Sequence, residues 1–75
     1  MEYTGKVIRR LFAKGTKSER IAVMLVTENH EYVLRRQGGN PVSDPELDKL
    51  VDKTICFEGT VYGYTLIVTS WSGSN

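Results

Sequence analysis

The chain is poor in the residues most used for catalysis and metal binding. It has one cysteine, Cys56, one histidine, His30, and one tryptophan, Trp71. A single cysteine excludes an internal disulfide. No Cys/His cluster has the spacing of a metal site, and a lone histidine without positioned partners is a poor general base. Cys56 sits in an apolar strand pattern and is expected to be a small buried side chain. Long hydrophobic runs are also missing. No stretch approaches the roughly 18 apolar residues of a membrane span, and Met1–Lys6 carries no apolar signal region. Together these absences lead to the expectation of a non-enzymatic, cytoplasmic protein with no cofactor, no metal and no membrane partner.

A large excess of one charge is missing too, since the formal net charge is +1. That balance hides an asymmetry. Residues 1–36 hold eight Lys/Arg against four Asp/Glu, and residues 37–75 hold two against five. The first half is therefore basic, which favours an anionic partner locally unless folding interleaves the halves. Lys14-Gly15-Thr16-Lys17-Ser18 superficially suggests a phosphate loop, but it lacks the glycine–lysine order and has no helix after it. At 75 residues, 40% apolar and 25% charged, the chain has the size and composition of one small globular domain.

The strongest local signal is Arg36-Gln37-Gly38-Gly39-Asn40-Pro41-Val42-Ser43-Asp44-Pro45-Glu46-Leu47. Paired glycines end a strand, and Pro41 restricts the residue before it. A helix then starts in one of two registers. Ser43 as N-cap puts Glu46 at N3 in a capping box, whereas Asp44 as N-cap puts Pro45 at N1. Leu47, Leu50 and Val51 form one apolar face over about two turns, too short to stand unpacked.

Strand patterns lie on both sides. The first runs from Glu2 to about Ala13, with apolar pairs Val7-Ile8 and Leu11-Phe12 that break strict alternation. Either a bulge switches its inward face midway, or both faces are partly covered. Gly5 marks a bend or close approach. The second strand, Arg20 to Thr27, is apolar on both faces. Glu28-Asn29-His30 turns it into the third, Glu31 to Arg36. The fourth covers Lys53 to Tyr62, with Ile55, Phe57 and Val61 inward and Gly59 at a bend or crowded contact. Gly63 makes a tight turn into the fifth, Tyr64 to Trp71. Residues 72–75 are expected to be a disordered polar tail, leaving 1–71 as a single domain.

The expected class is all-β with one short helix, in the order β-β-β-α-β-β. Element order, the placement of Gly59 and Gly63 and the long first strand resemble the OB-fold, a five-stranded barrel. The alternative is an SH3-like barrel, whose helical turn falls between the last two strands; here only a few residues around Gly63 join them.

Two binding expectations follow. The first is a protein-interaction or assembly module, docking a partner or a second copy through an exposed face of the second strand, with Met24 and Val26 as its centre beside Ala22. The second is single-stranded nucleic-acid binding. The OB resemblance implies a site on the second and third strands, edged by the first and last loops. It would use Lys14 and Lys17 in the first loop with Arg20 flanking it, and Tyr62 and Tyr64 in the last. On the sheet it would use Tyr32 or Arg35, whichever faces out, with Arg9 or Arg10 nearby. Against this, the lysines serve equally to keep a loop soluble. Arg35-Arg36 could pair with Glu28, Glu31 or Glu58. The two tyrosines could clamp their hairpin, and Trp71 could cap a barrel end.

Overall fold

The computed structural model describes residues 1–12, 15–17, 20–39 and 44–74. Five strands and one short helix follow in the expected order: β1 Glu2–Phe12, β2 Arg20–Val26, β3 Glu31–Arg36, α1 Pro45–Asp48, β4 Thr54–Tyr62 and β5 Thr65–Ser74. The strands close into a ring, β1-β2-β3-β5-β4, with β4 paired back onto β1. Every pairing is antiparallel except β3 with β5.

β1 closes the ring by serving two neighbours. Residues Glu2 to Lys6 pair with β4, and Lys6 to Phe12 pair with β2. At the handover a side chain on Gly5 would meet the Val26 carbonyl oxygen at 2.1 Å, so only glycine lets β2 cross so closely. The β1–β2 register is unbroken, so no bulge switches the face of β1 within that stretch. Both faces are instead covered at Val7-Ile8. Val7 enters the main core, and Ile8 packs outside on a second cluster of Ala22, Met24 and Val33.

The main core is Val7, Leu25, Leu34, Leu47, Ile55, Phe57, Leu66 and Val68. One residue or more comes from every strand and from α1, which is what a closed ring of alternating strands produces. Each such side chain contributes about 1.5–3 kcal/mol by leaving water. Trp71 is half-buried and packs on Phe57 with ring centroids 5.9 Å apart.

The tail expectation needs correcting. β5 continues through Ser72, Gly73 and Ser74, which pair with Cys56, Ile55 and Thr54. Polar side chains suggested fraying, but ladder bonds use the backbone and are indifferent to them.

Of the two helix registers, Asp44 is the N-cap and Pro45 follows at the helix start. Ser43 and Asn40-Pro41-Val42 lie outside the described residues. The Asp44 carboxylate accepts the Glu46 N–H at 3.0 Å and also receives Arg36 Nε at 2.8 Å and Nη2 at 3.3 Å. Gly38 adopts φ +78°, and a side chain on Gly39 would stand 2.6 Å from Asp44 Oδ2. Gly39 therefore leaves room for the Asp44 carboxylate beside Arg36. Beyond α1, backbone bonds Asp52 N–H to Val7 O (2.7 Å) and Val7 N–H to Lys53 O (2.9 Å) stitch the segment to β1.

The Arg36 hydrogen bond, aided by backbone donors, holds the Asp44 carboxyl below its ordinary range despite the opposing effect of burial. A depressed carboxyl pKa gives stability that is present above about pH 4 and is lost as pH falls through the folded-state value. Asp44→Ala should cost about 0.5–2 kcal/mol through the lost cap alone. Thermal melts of both proteins across pH 3 to 7 check this. The gap should be widest at neutral pH and narrow on acidification.

Candidate nucleic-acid interface

Alternation and register sort the side chains into an inner and an outer surface. On β3 the inner positions include Tyr32 and Leu34, and the outer ones Val33 and Arg35. Tyr32 faces in: it is half-buried against the core, edge-on to Tyr3 at 5.5 Å and stacked with His30 at 5.8 Å. Tyr32 is therefore removed from the candidate binding face, and Arg35 is the β3 residue that remains on it. Arg35 is exposed and makes no ion pair with any described residue. The Arg36 pairing is with Asp44, not with Glu28, Glu31 or Glu58.

Tyr62 and Tyr64 sit at the β4–β5 hairpin, 78% and 62% exposed. Gly63 between them takes φ +62°. The hairpin is anchored to β3, because the Val33 N–H donates to the Tyr64 carbonyl at 2.9 Å. Tyr62 is opposite Thr65, which is opposite Val33, which is opposite Met24, which is opposite Ile8. One continuous outer row thus leads from the aromatic hairpin to β1.

The cations divide. Lys17 is exposed in the turn that begins at Gly15. Lys14 lies outside the described residues, and the backbone of Arg20 pairs opposite Phe12. Arg10 faces out and is bonded to Glu31, while Arg9 faces the ring side and reaches Asp48 at 3.5 Å. Arg10 is opposite Ala22 and Glu31 is opposite Val26, so this ion pair passes over Met24 between them.

That bridge bears on the expected protein-docking patch. Ala22 and Met24 are 6% and 5% exposed, and Val26 is half-buried. The face is apolar, as its sequence says, but it is not open. Ile8, Val33 and the arching Arg10–Glu31 pair leave little of it to a partner.

The opposite outer surface carries both signs of charge, Glu2 and Glu58 beside the Met1 amine and Lys6. Glu2 and Glu58 are register partners across β1 and β4, and the amine of Met1 lies 3.3 Å from Glu58. They flank a shallow depression of about 210 Å³ that also touches Cys56, Ser70, Trp71 and Ser72. Cys56 is half-buried there rather than fully buried. Among the described residues no group of His, Cys, Asp and Glu is arranged to hold a metal ion. No helix among them is long and apolar enough to cross a membrane. His30 is exposed at the β2–β3 turn, where its N–H donates to Thr27 Oγ1 at 3.0 Å.

Sequence reasoning missed two features. One is the Arg36–Asp44 pair, for which only the strand-end arginine and helix-cap aspartate gave a signal. The other is the exposure of Leu11 and Ile21, 39% and 61%, where apolar strand residues imply a core. Comparison with known proteins finds no matching family model, no matching curated protein and no matching solved structure.

Proposed function

We propose that this chain is a non-enzymatic module that binds single-stranded nucleic acid on an OB-type barrel. The OB assignment is supported by the ring order β1-β2-β3-β5-β4, the parallel β3–β5 pair, the helix between β3 and β4 and the double pairing of β1. An SH3-like arrangement is disfavoured by the position of α1.

The observation that carries the functional reading is the aromatic hairpin. Two tyrosines more than half exposed stand on one side of a face that bears Arg35. The β1–β2 turn with Lys17 lies at the end of the strands on its other side. Rings stack on bases whatever their sequence, for about 1–3 kcal/mol per base, and cations follow the phosphates. The competing protein-docking reading needs an open patch at Ala22, Met24 and Val26, and two of those three are buried.

Tyr62→Ser combined with Tyr64→Ser tests the reading. Both side chains are largely in water, so the melting temperature should stay within a few degrees. Affinity for a short single-stranded oligonucleotide should fall at least about tenfold, the loss of one stacked base. A double variant that binds as well as the parent removes the hairpin from the site.

A further inference from the structure

Among the arginines whose side chains the structure describes, Arg9, Arg10 and Arg36 are held by carboxylates and Arg35 is not. The three pairs differ in what they hold. Arg36 grips Asp44, whose side chain is 6% exposed and also caps α1, so exchanging that carboxylate for another anion would undo the helix start. Arg9 reaches Asp48 on the ring side, away from the outer row that begins at the Tyr62–Tyr64 hairpin. Of the three, Arg10 alone lies on the outer surface.

The Arg10–Glu31 pair stands in water, with 46% and 43% of the two side chains exposed. An exposed pair of this kind contributes little to stability and is screened by salt, so it can be exchanged at small cost. Its bond runs from Nη1 to Oε1, and a guanidinium has further N–H donors for a second acceptor. A phosphodiester presents two such acceptor oxygens in a geometry that the fork matches.

Position points the same way. Arg10 is opposite Ala22 and Glu31 is opposite Val26, one on each side of Met24. Arg35 is two residues beyond Val33, the partner of Met24, and so lies on the same outer surface towards Ala22. An Arg10 released from Glu31 therefore joins Arg35 on one face. Glu31 is the carboxylate that a polyanion meets there, and it weakens the attraction.

We infer that Glu31 is a competing carboxylate within the single-strand site. It holds Arg10 in the free protein, and a phosphate of the bound strand takes its place. The inference rests on the single-strand reading above and names the pair that regulates the same site. Arg10 is a phosphate-binding residue, and Glu31 acts on the strand only through it.

A double-mutant cycle tests this, with a short single-stranded oligonucleotide titrated at several salt concentrations. Glu31→Gln should bind about threefold to tenfold more tightly than the parent, with a salt slope steeper by up to about 0.7, the share of one phosphate contact. Arg10→Gln should then cost about tenfold in the Glu31→Gln background and no more than about threefold in the parent. Equal losses in the two backgrounds overturn the inference, because a pair that only covers Met24 changes the melting temperature and not this coupling. Glu28→Gln makes the same change in net charge on the β2–β3 turn, where Glu28 is exposed and has no ion pair with a described residue. Its gain should stay below about twofold, and a gain equal to that of Glu31→Gln assigns the effect to net charge and overturns the inference. The melting temperature should stay within a few degrees throughout. If Glu31→Gln melts early, Glu31→Met, which drops the charge and keeps a side chain over Met24, runs the same cycle. A parent that binds no oligonucleotide overturns the underlying reading and this inference with it, whereas a parent that binds, with equal losses, overturns this inference alone.

Discussion

Leu47→Asp is expected to leave the chain without a cooperative thermal transition. Leu47 is 2% exposed and is the residue through which the four-residue helix enters the main core. Removing a buried leucine costs about 2–5 kcal/mol, and a carboxylate in its place has no partner among Val7, Leu25, Phe57 and their neighbours. A domain of this size has roughly 4–11 kcal/mol of stability in total. The charge and the lost packing together consume most or all of it. Leu47→Met keeps volume and polarity and should cost less than about 1.5 kcal/mol. Circular dichroism melts of the two variants separate burial from helix propensity, since both residues are tolerated in a helix. A native melting temperature for Leu47→Asp would show that the helix is not packed on the ring.

Gly59→Ala should also destabilise the fold, for a different reason. A side chain there would lie 2.1 Å from the Ile67 carbonyl oxygen and 3.0 Å from its carbon. The obstacle is backbone, which cannot rotate aside as a side chain does. The β4–β5 register already shifts between Glu58 and Gly59, so the strands are bent together at that point. Relieving the clash means parting the two strands with the largest shared ladder. About 1–3 kcal/mol or more is expected, and each kcal/mol lowers the melting temperature by about 4–8 °C in a domain this small. Gly63→Ala is the comparison. Gly63 has φ +62° but open space where a side chain would go, so it incurs only left-handed strain of about 1–2 kcal/mol. Gly59→Ala should therefore melt below Gly63→Ala, and the reverse order would contradict the close crossing.

These two sites also show what was legible in the sequence. Gly5 and Gly59 interrupt strand patterns where a bend or crowding is the simplest cause, and both are close backbone crossings. The helix start was narrowed to two registers, and Asp44 takes the cap because its carboxylate is also drawn to Arg36. Element order followed from turn residues and alternation, which are local properties.

What depends on ring closure was not legible. The parallel β3–β5 pairing joins segments about thirty residues apart in a way periodicity does not encode. Closure also decided that Tyr32 faces in and Arg35 out, a choice the alternation of β3 left open. Met24 was expected on an open face because both sides of β2 are apolar. It is buried because Ile8 and Val33 flank it and Arg10 and Glu31 bridge across it. Ile21 fails in the opposite direction: its pattern is that of a core residue, yet its strand outruns the neighbour that would cover it. Candidate site residues inherit the same limit. The exposure of Tyr62 and Tyr64 could be anticipated because they border a turn glycine, whereas the grouping of cations depended on which ones found carboxylates.

The most direct test of the account is fluorescence anisotropy of a labelled single-stranded oligonucleotide titrated with the intact protein, first at low and then at physiological salt. The account predicts saturable binding that weakens as salt rises and exceeds binding to the matching duplex. No binding to the single strand at low salt would contradict it.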